Sequence, residues 1–181
     1  MTGGRNGYGA KLANIFSHKF VVECGDGRNK KKFRMVWHKN MTTHGEAEIS
    51  SYSGKDYTIV TFHPEFKRFG MTAFDDDILA LLRKRVYDMA GLLPDVKVSL
   101  NDRDLPINSF LKYVDMYFTG EEGVHKIRDP EVDTDRWQVV VSLSDGEFKQ
   151  VSFVNGICTS KGGTHVNMIV DQVVDKIKEK L

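Results

Sequence analysis

Apolar and polar positions alternate along the chain in blocks that change period several times. Leu12, Ile15 and Phe16 recur at helical spacing and predict a short helix over Ala10–Ser17. Phe20-Val21-Val22 then predicts a strand, "CGDGRN" a turn, and "KKKFRMVWHK" a returning strand. In that return Phe33, Met35 and Trp37 fall on one face, with Lys32 and Arg34 on the other. "EAEISSY" and "DYTIVTF" predict another pair of strands around Ser53-Gly54-Lys55, giving a meander and an antiparallel sheet. "FDDDILALLRKRVYDMAG" predicts the clearest helix: Asp75 to Asp77 at its positive end, Ile78, Leu82, Val86 and Met89 as its buried stripe, and Gly91 as its end.

A strand over Val96–Leu100 follows, then "NDRD" as a turn, then "INSFLKYVDMYF". Thr119 to Asp135 is polar, holds Gly and Pro and has no apolar period, which predicts a linker or a long hairpin. Beyond it "RWQVVVSL" and "KQVSFV" predict strands joined by Ser144-Asp145-Gly146. A final helix from about His165 carries Val166, Ile169, Val173 and Ile177 on one side. The fold class expected from these elements is α+β.

Composition narrows the picture only a little. The chain has 181 residues, 40% hydrophobic and 28% charged, which suits one good core or two small ones. Lys+Arg 26 against Asp+Glu 25 gives a formal net charge of +1, which argues against a surface devoted wholly to polyanions but leaves local DNA contacts open. Cys24 and Cys158 form no CxxC pair, and with no N-terminal signal they point to a reducing, intracellular setting. No apolar run approaches the roughly 18–20 residues that span a bilayer, so no membrane association is expected. The six histidines are scattered, and neither a metal site nor a catalytic residue is assigned.

The stretch "GGRNGYGAKLANIFS", from Gly3 to Ser17, carries the candidate chemistry. A phosphate-binding loop turns backbone N–H groups inward, which requires positive φ values that glycine adopts most cheaply. A helix starting directly behind Gly9 would add its own unpaired N–H groups and the positive end of its dipole. Lys11 would lie in its first turn. The two common templates both fail. In GxxxxGK[ST], Ala10 intervenes before the lysine and Leu12 replaces the hydroxyl residue; in GxGxxG, Leu12 replaces the third glycine. The pattern alone leaves two readings open, a nucleotide loop or a glycine-rich turn into a helix.

"TGGRNGYGAKLANIFS" resembles the nucleotide-binding loop of the eukaryotic type II DNA topoisomerases, members of the GHKL ATPase superfamily. The likeness continues through "YTIVTFHPEFKRFGM", "ALLRKRVYDMAG", "VKVSLNDRDLPINSFLKYVDMYF" and "DRWQVVVSLSDGEFKQVSFVNGICTSKGGTHVNMIVDQVV", in the family's order and spacing. The resemblance implies a partial GHKL α/β sandwich over residues 1–120, followed by the start of a ribosomal-protein-S5-like transducer over 121–181. It implies that Gly4, Arg5, Asn6, Gly7, Tyr8, Gly9, Ala10 and Lys11 bind ATP. Mg²⁺ would be held outside this chain, as would the water-activating glutamate and the glutamine–lysine pair that reaches the γ-phosphate. It also implies DNA as substrate, a homodimeric parent and a nuclear location. The chain is therefore expected to be a piece of the enzyme, inactive as an ATPase alone. A truncated non-catalytic gene copy, or another GHKL ATPase of chaperone or mismatch-repair type, is the alternative.

Other stretches have plainer expectations. "TSKGGTH" reads as a Gly-Gly turn with Thr164 capping the next helix, or as a loop whose Lys161 meets an anion. "RNKKKFR" reads as a solvated hairpin end rather than a DNA contact, and Asp75 to Asp77 as a dipole-complementing cluster rather than Mg²⁺ ligands. Cys158, between apolar residues, reads as a buried thiol.

Overall fold

The computed structural model describes residues 6–118, 125–128 and 136–181. They fall into two compact units that meet at Asp75/Asp76.

The first unit opens with helix α1 (Tyr8–Ile15), followed by strands β1 (Ser17–Asp26), β2 (Lys31–His38), β3 (Thr43–His44), β4 (Glu48–Ser51) and β5 (Tyr57–Pro64). All pairings are antiparallel, in the order β3-β2-β1-β5, with β4 also on β2. The expected meander is not what forms. β4 returns to β2, while β5 crosses to the free edge of β1. The ten-residue β1 would otherwise be a long unpaired edge, and the outer side of β2 is already shared by β3 and β4. Register sets Phe20 opposite both Trp37 and Phe62, and Val22 opposite Met35 and Val60, so the apolar face anticipated for β2 is real. Phe20 is buried and meets Trp37 edge-to-face at 6.1 Å. On the other face Glu23 lies 3.7 Å from Lys32 and 3.8 Å from Arg34, and Arg34 lies 3.3 Å from Glu48. The basic hairpin end is thus a solvated, ion-paired surface.

The second unit holds α2 (Asp76–Leu92), β6 (Ser99–Leu100), β7 (Arg103–Asp104), α3 (Phe110–Asp115), β8 (Lys126–Arg128), β9 (Val140–Ser142), β10 (Phe153–Val154), β11 (Ile157–Cys158) and α4 (Thr164–Lys178). Asp76 and Asp77 occupy the first turn of α2, where the helix dipole favours them. The stripe expected on α2 is only half-buried, and Leu82 is exposed; the buried residues are Asp88, Ala90 and Gly91. Gly91 does not end the helix. It lets α3 approach, because a Cβ there would stand 2.3 Å from Cγ of Tyr113. Ala90, Ile107 and Tyr113 form the core, with Tyr87, Val98, Leu105, Phe110 and Phe153 around them.

The described part of the Thr119–Asp135 stretch includes β8, which pairs antiparallel with β9; the rest of that stretch lies outside the described residues. β10 pairs with β11 rather than with β9. Asn155 and Gly156 both have positive φ, 51° and 78°, and such a two-residue turn closes a hairpin on the spot. In that small hairpin Cys158 is exposed, contrary to the buried thiol expected from its apolar neighbours. Gly163, not Thr164, stands at the N-cap of α4, and no side chain caps it. Among the described residues, no helix is long and apolar enough to cross a membrane.

Candidate functional site

Helix α1 starts two residues earlier than its apolar spacing predicts. Gly7 takes φ 66° and ψ 14° at the N-cap, and Tyr8, Gly9, Ala10 and Lys11 make up the first turn. Gly7 is therefore the residue that needs left-handed freedom. Gly9 lies inside the helix without positive φ, and a Cβ built on it would meet nothing within 4 Å. No side chain caps the helix start and no acidic residue sits in its first turn, so its leading N–H groups and dipole face outward uncompensated. Tyr8 is 64% exposed, and Lys11 is exposed with no ion pair among the described residues. Asn6 through Lys11 are thus gathered at one helix end; Gly4 and Arg5 lie outside the described residues.

The other end of α1 is tied down by polar contacts. Ser17 Oγ donates to the Ala13 carbonyl at 2.6 Å, and the Glu65 N–H donates to the Phe16 carbonyl at 2.8 Å. Asn40 Nδ2 donates to the Ile15 carbonyl at 2.9 Å and to Glu65 Oε2 at 2.8 Å. Arg68 Nε donates to the same carboxylate oxygen at 2.8 Å, and its guanidinium lies 5.8 Å from the centre of the Phe16 ring. Hydrogen bonds from Arg68 and then Asn40 hold the Glu65 carboxyl below its ordinary range. An apolar groove of about 260 Å³ runs beside the helix, lined by Leu12, Phe16, Phe62, Pro64, Phe69 and Phe74.

The "TSKGGTH" stretch behaves as a turn feeding a helix. Gly162 N–H donates to the Thr159 carbonyl at 2.8 Å, and α4 begins two residues on. His165 Nε2 lies 3.1 Å from Thr159 Oγ1 and 3.3 Å from Ser152 Oγ, a cluster that fixes β10 and the turn to the helix start. Lys161 is exposed and engages none of these groups.

Two sets of residues have no signature in the sequence pattern. One is the Asn40–Glu65–Arg68 set at the end of α1. The other centres on Asp88, which is fully buried. It accepts from Lys84 at 2.8 and 3.0 Å, from Arg85 at 3.2 Å and from the Tyr113 hydroxyl at 2.6 Å. Arg85 also donates to the Gly156 carbonyl at 3.2 Å, so one carboxylate joins α2, α3 and the β10–β11 turn. Burial, then the bonds to Asp88 and Tyr117, push the Tyr113 phenol far above its ordinary range. The Lys84–Asp88 and Arg85–Asp88 spacings of four and three residues are the only local hint.

Known proteins resemble this chain in sequence and in fold. A family model described as DNA gyrase B matches residues 107–181. The chain is 54% identical over 183 residues to the probable DNA topoisomerase 2 of Dictyostelium discoideum, covering 100% of this chain and 12% of that protein. It is 47% identical over 182 residues to DNA topoisomerase 2-alpha of Sus scrofa, covering 98% of this chain and again 12% of the relative. The crystal structure of the ATPase region of Saccharomyces cerevisiae topoisomerase II superposes with a TM-score of 0.90 at 46% identity, over 98% of this chain and 47% of that one. The helix-and-sheet fold is accordingly that of a GHKL-type ATPase region. More particularly, the chain belongs to the eukaryotic type II DNA topoisomerase family and corresponds to part of that ATPase region. It spans about 12% of the length of these curated relatives.

Proposed function

We propose that this chain is a segment of an ATP-dependent type II DNA topoisomerase, and that Gly4 through Lys11 wrap the triphosphate of its ATP. The observation that carries this reading is the start of α1. Left-handed Gly7, an uncapped helix N-terminus without a carboxylate, and an unpaired Lys11 adjoin one another. Backbone N–H groups would donate to phosphate oxygens, and Lys11 would add a point charge. Such a cradle binds ground state and transition state nearly alike, so its work is capture of nucleotide rather than acceleration of hydrolysis.

No Asp, Glu or His occurs between Gly3 and Ser17. Among the described residues there is no group of three or more His, Cys, Asp or Glu that could hold a metal ion, and the stretch itself offers no carboxylate to a Mg²⁺ ion bridging the phosphates. A Mg²⁺ ligand would come from outside this stretch. In this reading residues 1–120 belong to the nucleotide-binding domain and 121–181 begin the transducer. The parent works as a homodimer that closes on ATP and passes one DNA duplex through another, in the nucleus.

Replacing Lys11 by Ala in the topoisomerase that carries this segment tests the proposal. Loss of one charge-assisted contact, worth roughly 1.5–3 kcal/mol, should weaken a non-hydrolysable ATP analogue about ten- to a hundredfold in calorimetric titration. Unchanged affinity would remove the loop assignment.

A further inference from the structure

Lys39, Asn40 and Met41 have φ values of 49°, 59° and 66°, three consecutive non-glycine residues in the left-handed region. Such a run sets each Cβ against the following carbonyl and persists only where the surroundings impose it. Here the surroundings are the end of α1 and the start of β1. Lys39 N–H donates to the His18 carbonyl at 2.9 Å, and Asn40 N–H to the Ser17 carbonyl at 3.1 Å. Thr42 closes the turn from its far side, with Oγ1 2.6 Å from the Lys39 carbonyl. The distorted turn brings one side chain, that of Asn40, onto the Ile15 carbonyl and the Glu65 carboxylate together.

Asparagine suits this position for two reasons. It tolerates left-handed backbone better than other residues with a Cβ, and its single amide nitrogen carries two hydrogens for two acceptors. The helix it holds has only eight residues and would be marginal alone. Leu12 and Ile15 are 50% and 40% exposed, so these two apolar side chains hold α1 only weakly.

We infer that Asn40 is a positioning residue: it clamps α1 from its C-terminal end and so sets the direction in which the N–H groups of Gly7 to Lys11 meet the phosphates. The inference rests on the nucleotide reading above and adds a residue that never touches the nucleotide.

Two substitutions at Asn40 and a control at Glu65 test it. Asn40→Gly keeps the left-handed backbone cheap but removes both donors. Asn40→Asp keeps the shape but turns an acceptor toward two acceptors. Hydrogen exchange on the 181-residue chain should quicken about tenfold or more at the α1 amides in both variants, while the unfolding midpoint of Asn40→Gly stays near wild type. In the topoisomerase, Asn40→Gly should weaken the ATP analogue about tenfold, the size of one net hydrogen bond. Glu65→Gln, which leaves Asn40 an acceptor, should hold affinity within about twofold. Unchanged α1 exchange in both variants would overturn the clamp. Faster exchange with wild-type affinity would overturn its positioning role. Failure of the nucleotide reading itself would show separately, as an affinity that Lys11→Ala does not move.

Discussion

Single residues decide more here than their types suggest. In the opening stretch Gly7 and Gly9 look equivalent on paper, yet only Gly7 has φ in the left-handed region. That difference sharpens a test. Because a Cβ on Gly9 meets nothing within 4 Å, Gly9→Val should leave stability within about 0.5 kcal/mol of wild type. Its nucleotide affinity should still fall, since the added bulk would stand where phosphate approaches the helix start. Paired thermal unfolding and analogue titration would separate the two effects. Gly91 presents the opposite case: Gly91→Ala would drive a Cβ to 2.3 Å from a ring carbon of buried Tyr113. Overpacking of that kind should cost roughly 1–3 kcal/mol in denaturant unfolding. The glycine-rich stretch ahead of α1, proposed above as the phosphate loop, stood out in the sequence because its residues are contiguous. Asn40 did not, because it reaches Ile15 and Glu65 across 25 residues each way and no local pattern announces such a contact. Asp88 escaped notice because a carboxylate in an exposed-looking helix reads as surface until Tyr113 covers it.

At the scale of elements, the apolar run placed β1 and alternation placed β2 and its two faces, because the side-chain alternation of a strand is a local property. Pairing is not local, which is why β5 crosses to β1 and why the Asn155-Gly156 hairpin displaces the expected partnership of β10 with β9. One cross-strand contact in the sheet yields a pH prediction. The Tyr57 hydroxyl on β5 donates to Glu23 on β1 at 2.7 Å. That bond, followed by burial, raises the Tyr57 phenol to about 12, and it is also the largest influence lowering Glu23. A raised phenol favours its protonated form. Its contribution to stability should be complete below pH 10 and vanish as pH rises to about 12. Glu23, held low, contributes above its ordinary 4.5 and loses that contribution as pH falls below it. Ultraviolet difference titration should therefore find a tyrosine ionising near pH 12 that is lost in Tyr57→Phe, while Tyr113 stays protonated beyond it, and that variant should lose less stability than wild type at both pH extremes.

For the molecule as a whole, the family was readable because five sequence blocks occur in one order across nearly all of the chain, and the relatives confirm that order over 98–100% of it. Bulk properties contributed little: a net charge of +1 and 28% charged residues would suit many soluble proteins. The packing boundary at Asp75/Asp76 was not legible, since the composition change that suggests a border lies near residue 120. What the molecule does with its opening stretch depends on whether backbone N–H groups at the head of α1 receive phosphate. Amide NMR of the full chain, titrated with a non-hydrolysable ATP analogue, reads those groups one by one. The largest shifts and the strongest slowing of exchange should fall on Asn6, Gly7, Tyr8, Gly9, Ala10 and Lys11. At saturating analogue, unmoved amides in that segment, with shifts confined elsewhere or absent, would contradict the account.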